Sequence, residues 1–145
     1  MEHVSEPTRD VDLASDLVTH AARLVRAVRR DLELPAGLRV LSLLDEHGPL
    51  TITRLAAEDR CSQPTMSAQV SGLVEQGWVR KRPNPADARS SVVAATDEGR
   101  AELVRARRRY GEHVAALVAD HPDLSTEDLA AAVAVLRGIL QKGSQ

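Results

Sequence analysis

The chain has 145 residues, of which 43% are hydrophobic and 28% are charged, and its formal net charge is −2. This composition is typical of one globular domain, or of two small lobes that share a core. A single cysteine, Cys61, excludes an intrachain disulfide and favours a reducing, cytoplasmic location. The apolar stretches are too short to cross a membrane, and the first residues lack the apolar segment of a signal peptide.

Charge is distributed unevenly along the chain. Residues 1–16 hold five acidic residues and one basic residue, a net charge of −4. Residues 78–91 hold four basic residues and one acidic residue, a net charge of +3. A basic segment of this kind can form a basic face on an acidic molecule. The negative total therefore does not exclude a nucleic acid as partner.

Helical spacing of apolar residues dominates the first part of the chain. It predicts a long amphipathic helix over residues 12–32. Pro35 is expected in the first turn of a second helix that runs to about Glu46. The segment His47-Gly48-Pro49 is expected to end that helix.

Two short helices and a turn are predicted next, as in a helix-turn-helix. Thr51 is expected to cap the third helix, and Ser62 to cap the fourth. Gly77 suits the left-handed position at the end of the fourth helix.

A β-hairpin is predicted after the fourth helix. Its strands cover about residues 78–82 and 91–95, and the turn between them reads PNPADARSS. Because Pro83 and Pro85 restrict the backbone, this turn is expected to be stiff.

Two further helices complete the predicted chain. Thr96 is expected to cap a long helix over residues 97–119, and His121-Pro122 to end it. The sequence STED at 125–128 is a capping box that begins the last helix. The predicted fold class is mainly α with a small β-hairpin, in the element order of a winged helix-turn-helix.

The fourth helix is expected to carry an uncharged outer face. If Met66, Val70, Leu73 and Val74 face inward, the outward positions hold short polar or small side chains. Such side chains suit a major groove, where Gln, Ser and Thr contact base edges and phosphates. An uncharged helix packed against another protein surface is the alternative. The predicted DNA-contacting residues are Ser62, Gln63, Pro64, Thr65, Ser67, Ala68, Gln69 and Ser71.

The hairpin favours the DNA-binding interpretation. Antiparallel pairing is expected to bring its basic residues close together, where phosphates would neutralise them. Arg89 is expected to enter a minor groove, and Asp87 to hold its guanidinium by a bidentate pair. An ordinary ion pair in a solvated turn is the alternative for an isolated D-x-R, but here it follows a helix-turn-helix. The predicted wing residues are Arg80, Lys81, Arg82, Asp87, Arg89 and Ser90.

Residues 55–100 resemble the core of the MarR family of bacterial transcriptional regulators. The matching pieces are Leu-Ala at 55–56, S-x-P-T-x-S at 62–67, LVEQGWVRKR at 73–82, D-x-R at 87–89 and T-x-x-G-R at 96–100. The helix order outside this block agrees with the family as well. Ala88 and Gln69 depart from it, since the family often has basic residues at both positions.

The resemblance implies a homodimer that binds a pseudo-palindromic operator in double-stranded DNA, most often as a repressor. Its first, fifth and sixth helices would intertwine with those of the partner. The implied domains are an N-terminal dimerisation helix over 1–34, a winged helix-turn-helix DNA-binding domain over 35–99, and C-terminal dimerisation helices over 100–145. Apolar residues that fit the dimer contact are Leu13, Leu17, Leu117, Leu129, Val133, Leu136, Ile139 and Leu140.

The resemblance also implies a small aromatic or phenolic effector that binds between the dimerisation and DNA-binding lobes. Helix-level placement suggests His20, Arg23, Arg39 and Tyr110 for that pocket. No cofactor, metal ion or membrane partner is predicted, and the absence of catalytic motifs argues against an enzyme.

Two other functions stay open from the sequence. One is a winged-helix module that binds a protein partner without reading DNA, and the other is a metal- or redox-responsive regulator. Against the second, the histidines lack the spacing of a metal site, and Cys61 is expected to be a buried packing residue.

Overall fold

The computed structural model describes residues 6–142, which form six helices and one antiparallel hairpin. The helices are α1 (Glu6–Leu32), α2 (Leu38–His47), α3 (Ile52–Asp59), α4 (Gln63–Glu75), α5 (Asp97–Asp120) and α6 (Thr126–Lys142), and the strands are β1 (Val79–Asn84) and β2 (Asp87–Ala95). This order confirms the predicted winged helix-turn-helix. The outermost parts of the terminal domains predicted from the sequence, residues 1–5 and 143–145, lie outside the described residues. Over residues 6–142, no helix combines the length and the hydrophobicity needed to span a bilayer.

The chain divides into two compact units. The helical unit comprises the residues up to Val28 together with those from Arg109 onward, and the central unit comprises Arg29–Arg108. Nearly all buried apolar side chains belong to the central unit. Each fully buried side chain of this size contributes about 2 kcal/mol. The most deeply buried are Val40, Leu41, Leu55, Met66, Val70, Val79 and Val93.

The helical unit is far less buried. Val28 is its only buried residue among those that the structure describes. Apolar side chains of α1 and α6 lie in solvent, and Leu140 is 72% exposed.

Helix starts that were predicted from capping residues are confirmed. The Thr51 hydroxyl oxygen accepts a hydrogen bond from the backbone N–H of Arg54 at 3.1 Å. In the capping box, the Ser125 hydroxyl accepts from the N–H of Asp128 at 3.2 Å, and Asp128 Oδ2 accepts from the N–H of Ser125 at 2.9 Å. These caps satisfy N–H groups that a helix start leaves unpaired, and each is worth about 1 kcal/mol.

Two predicted helix starts are wrong. α1 begins at Glu6 rather than at residue 12, because an acidic residue and Pro7 are both favourable in a first helical turn. α2 begins at Leu38 rather than at Pro35. The Pro35 carbonyl accepts a hydrogen bond from the N–H of Leu38 at 3.3 Å, so the proline lies in a turn that leads into the helix.

The base of the hairpin is joined to the helices by hydrogen bonds of Thr96. Its hydroxyl donates to the Gly77 carbonyl at 2.6 Å and accepts from the N–H of Gly99 at 3.0 Å. Its N–H donates to the Trp78 carbonyl at 3.0 Å. Gly77 has φ +80°, which confirms the left-handed position predicted at the end of α4. One residue thus connects the end of α4, the hairpin and the start of α5.

A second connection comes from the segment before α3. Leu50 and Val93 exchange both backbone hydrogen bonds, at 3.1 and 2.7 Å, and so add a one-residue bridge beside β2. The hairpin therefore has a fixed position relative to the helix-turn-helix.

Candidate nucleic-acid interface

The start of α4 is fixed by a double contact between two hydroxyl residues. Ser62 Oγ accepts from the N–H of Thr65 at 3.2 Å and donates to the Thr65 hydroxyl at 2.8 Å. Pro64 lies in the first turn, where its missing N–H costs nothing. Both hydroxyls lie at the solvent-facing N-terminus of α4, where backbone N–H groups and the helix dipole favour anions such as phosphates.

The tight turn before α4 places Arg60 in the left-handed region, with φ +54°. The N–H groups of Arg60 and Cys61 bond to the carbonyls of Ala57 and Ala56 at 3.3 and 3.0 Å. Cys61 is half-buried, so the prediction of a buried packing residue is wrong in its degree of burial. It lies in the short connection between the left-handed Arg60 and the cap residue Ser62, outside both helices.

The predicted inner face of α4 is confirmed at three of four positions. Met66, Val70 and Leu73 are buried, but Val74 is 41% exposed. A stripe that includes both 73 and 74 is wider than the core can cover, because consecutive residues on a helix point about 100° apart. Val74 therefore adds an apolar side chain to the outer surface of α4.

The outer face of α4 presents the residues that were predicted to contact DNA. Ser67 and Gln69 are half-buried, and the other six are exposed. No charged residue occurs on α4 before Glu75. A charge-free face of short donors and acceptors has the chemistry needed to approach base edges. The six exposed residues are Ser62, Gln63, Pro64, Thr65, Ala68 and Ser71.

The hairpin is longer than the sequence predicted. Its strands reach Asn84 and Asp87, so only Pro85 and Ala86 form the tip. The pairing is regular from Val79 opposite Ala95 to Pro83 opposite Ser91, after which Asn84 pairs with Asp87. Residues 88–90 therefore have no partner on β1 and form a bulge. A bulge bends a strand and redirects its side chains.

Hydrogen bonds inside the bulge make the tip rigid. Asn84 Oδ1 accepts from the N–H of Ala86 at 3.0 Å, and Asn84 Nδ2 donates to the Ser90 hydroxyl at 2.9 Å. The Ser90 hydroxyl in turn donates to the Asp87 carbonyl at 3.3 Å. These bonds cross-link the two sides of the tip. Stiffness here comes from Asn84 and Ser90 as well as from the two prolines.

Arg89 projects from this bulge. Asp87 Oδ1 accepts from the Arg89 backbone N–H at 3.0 Å and from Arg89 Nε at 3.3 Å. The predicted bidentate pair is therefore wrong, since a single carboxylate oxygen accepts from both the backbone N–H and the guanidinium Nε of Arg89. The side chain is 94% exposed. Its two terminal nitrogens, the Nη atoms, bond to no residue that the structure describes and remain available.

The basic residues of β1 do not form one cluster, contrary to the prediction. Successive side chains of a strand point to opposite faces. Lys81 shares a face with the buried Val93, whereas Arg80 and Arg82 share the other face with Ala94 and Val92. Arg89 lies apart from both groups, in the bulge. Positive charge is thus presented in three directions.

The residues suggested for an effector pocket have separate local contacts. His20 Nδ1 lies 2.7 Å from the Asp16 carbonyl within α1, and Arg23 is exposed. Arg39 pairs with Asp59 inside the central unit. Tyr110 is half-buried and, like His20, belongs to the helical unit. The role of these four residues stays a prediction.

The residues expected to contact a second subunit are mostly in solvent in the single chain. Leu17 and Leu129 are half-buried. The remaining six, which are exposed, are Leu13, Leu117, Val133, Leu136, Ile139 and Leu140.

The fold and this surface define a winged helix-turn-helix protein, the architecture in which one helix enters a major groove of DNA. Comparison with known proteins is consistent with that architecture and names the family. The family model described as MarR family matches residues 35–91. An HTH-type transcriptional regulator of Mycobacterium leprae is 38% identical over 104 residues, which is 69% of this chain and 72% of that protein. A similarly named regulator of Mycobacterium tuberculosis matches with the same identity and coverage.

Solved structures of the family share the fold at lower sequence identity. A MarR family protein from Bacillus stearothermophilus has a TM-score of 0.69 at 18% identity, covering 98% of this chain and 100% of the other. Wild-type MarR from Escherichia coli has a TM-score of 0.63 at 21% identity, covering 96% of this chain and 99% of the other. The chain belongs to the MarR family of transcriptional regulators.

Proposed function

We propose that the protein is a sequence-specific regulator that binds double-stranded DNA in the cytoplasm and represses transcription. The observation that carries this proposal is the combination of an uncharged recognition face on α4 with a rigid tip that presents Arg89. Polar side chains of α4 would contact base edges in a major groove, and Arg89 would enter the adjacent minor groove. Residues of the wing, including Lys81, would contact phosphates and set the orientation on the duplex.

The wing is well suited to minor-groove insertion because most of its ordering precedes binding. Asn84, Ser90 and Asp87 already hold the tip in one geometry. Ordering a flexible loop on binding would reduce affinity by about 1 kcal/mol or more for each residue immobilised. The two free Nη atoms of Arg89 retain their donors for DNA.

The regulator would act as a homodimer. Rows of exposed apolar side chains on α1, the end of α5 and α6 support this, since apolar area of this extent in water is unfavourable for a monomer. A two-fold axis would present two recognition helices to successive major grooves, about one helical turn apart. The operator would then be pseudo-palindromic.

A small aromatic or phenolic anion would control DNA binding. Such a ligand acts only if its affinity differs between the DNA-bound arrangement of the lobes and the free one. His20, Arg23, Arg39 and Tyr110 are the residues proposed for this response.

The decisive experiment is a binding titration with purified protein and labelled duplexes that tile the DNA upstream of its own reading frame. Fluorescence anisotropy at fixed salt should show one duplex bound about a thousandfold or more tightly than its shuffled version. Equal affinity for all duplexes, or no binding at low salt, would contradict the proposal. The second outcome would support a winged-helix module that binds protein.

A further inference from the structure

A pocket of about 320 Å³ opens on the face of the hairpin that carries Arg80 and Arg82. Its walls come from the end of α2, both strands and the start of α5, all in the central unit, and no α4 residue lines it. The floor consists of Leu41, Leu44 and Leu103, which are almost completely buried. A concave site with an apolar floor and a few polar groups at its edge is the usual form of a small-molecule site.

Two unpaired guanidinium groups lie at the edge of this pocket. Arg80 and Arg82 are two residues apart on β1, so their side chains leave the same face about 7 Å apart. Neither forms an ion pair or a side-chain hydrogen bond with any residue in the range 6–142. Two exposed cations so close together repel each other, and an anion placed between them would relieve that repulsion.

The other charged groups at the edge are already satisfied. Arg100 Nη1 donates to the Ala95 carbonyl at 3.0 Å, and the same guanidinium pairs with Asp97. Asp45 Oδ2 accepts from Arg107 Nη2 at 2.9 Å, which neutralises the only carboxylate among the described residues that line the pocket. The uncompensated charge of the site is therefore positive and comes from Arg80 and Arg82.

We propose that this pocket binds a small organic anion with a carboxylate head and an unbranched aliphatic body. A carboxylate matches the planar donor fork of arginine, which a neutral amide does not. An aliphatic chain matches the leucine floor, whereas a ring finds no aromatic side chain among the lining residues on which to stack. Inorganic phosphate would satisfy the guanidiniums but has no apolar part to pack over the floor.

Occupation of the pocket has a regulatory consequence, which rests on the proposed function. Arg80 and Arg82 belong to the strand that carries the wing, and a bound carboxylate neutralises positive charge there. The affinity for DNA then falls, and its dependence on salt becomes weaker, because fewer counterions are released on binding.

The test is a titration of the isotopically labelled full chain, without DNA, followed by the NMR shifts of backbone amides. Octanoate below its micellar concentration should shift the amides of Gly48, Ala94 and Leu103 in a saturable way. Octanamide, its neutral analogue, should bind at least about tenfold more weakly, since it lacks the charge-assisted hydrogen bonds. Acetate and benzoate should also bind more weakly than octanoate.

Matched variants identify the residues responsible. The double variant Arg80→Gln, Arg82→Gln should weaken octanoate binding by at least about tenfold. Arg30→Gln removes an exposed arginine of the same unit outside the pocket and should leave octanoate binding unchanged.

Three results would overturn the assignment. They are shifts confined to the apolar residues of α1 and α6, equal binding of octanoate and octanamide, and binding of benzoate or acetate as tight as that of octanoate. Because the titration contains no DNA, its failure would leave the proposed DNA-binding function intact. Conversely, octanoate would still be expected to bind if the chain bound none of the DNA duplexes.

Discussion

Gly99 lies directly against the backbone carbonyl of Trp78. A Cβ atom at residue 99 would be 2.0 Å from that oxygen and 3.1 Å from Leu41 Cδ2. The first distance is far below any van der Waals contact, and the obstructing atom is backbone that cannot rotate away. The start of α5 and the base of the hairpin therefore approach each other as closely as a residue without a side chain permits.

Gly99→Ala should destabilise the protein for this reason. Accommodating the methyl group requires α5 or the hairpin to shift, and we expect a loss of about 1–3 kcal/mol in the free energy of unfolding. Gly72→Ala is the matched control, since a Cβ at residue 72 of α4 meets nothing within 4 Å. It should leave stability unchanged or raise it by up to about 1 kcal/mol. Urea unfolding of both variants checks the difference, and equal stabilities would contradict the close contact.

Arg89→Ala should weaken DNA binding by about 1–3 kcal/mol, because the variant loses the guanidinium proposed for the minor groove. Fluorescence anisotropy on the best duplex at fixed salt measures this loss.

Arg30→Ala is the control for Arg89→Ala. Arg30 is also exposed and lies 3.5 Å from a neighbouring carboxylate, that of Asp31, but it is not on the wing. Its removal should change DNA affinity little. If both variants bound as tightly as the wild type, Arg89 would not be a DNA contact.

Lys81→Gln should change the salt dependence of DNA binding rather than its sequence preference. A lysine that contacts one phosphate releases about one counterion, so the slope of log K against log salt should decrease by about one unit. Affinities measured at several salt concentrations, for the best duplex and for single-base variants, separate the two effects. A slope equal to that of the wild type would mean that the Lys81 face of β1 does not meet phosphate.

Val133→Asp should weaken the proposed homodimer. A carboxylate within an apolar contact loses its hydration without gaining a partner, at a cost of at least about 2 kcal/mol for the dimer. Ala131→Asp is the control, since residue 131 lies about 200° around α6 from Leu129, on the side opposite the apolar stripe. Sedimentation equilibrium should show dissociation for the first variant only. A wild-type protein that sediments as a monomer would contradict the homodimer itself.

Features that depend on residues close together along the chain were predictable from the sequence. The caps at Thr51, Ser62 and Ser125 are confirmed because each cap is a contact over three residues of chain. The winged helix-turn-helix order was predictable because hydrophobic periodicity and turn residues mark each element. The placement of Arg89 beside Asp87 is also local, although the geometry of their contact was not foreseen.

The internal geometry of the hairpin was not predictable in the same way. The bulge over residues 88–90 depends on how Asn84 and Ser90 bond across the tip. Strand alternation alone indicates that the Lys81 and Arg80 side chains leave opposite faces of β1. The prediction of a single basic cluster did not take this alternation into account. Exposure of Val74 depends on how much of α4 the core covers.

The sequence by itself determined the order of the elements, the caps of the helices and the uncharged composition of the recognition face, because all three are encoded in short-range spacing. Only the tertiary structure decided that Gly99 meets Trp78, that the face of β1 with Arg80 and Arg82 borders a pocket with a leucine floor, and that Arg89 projects from a bulge. These relationships join residues on different elements, and their distances follow from packing and strand register, which no local pattern records.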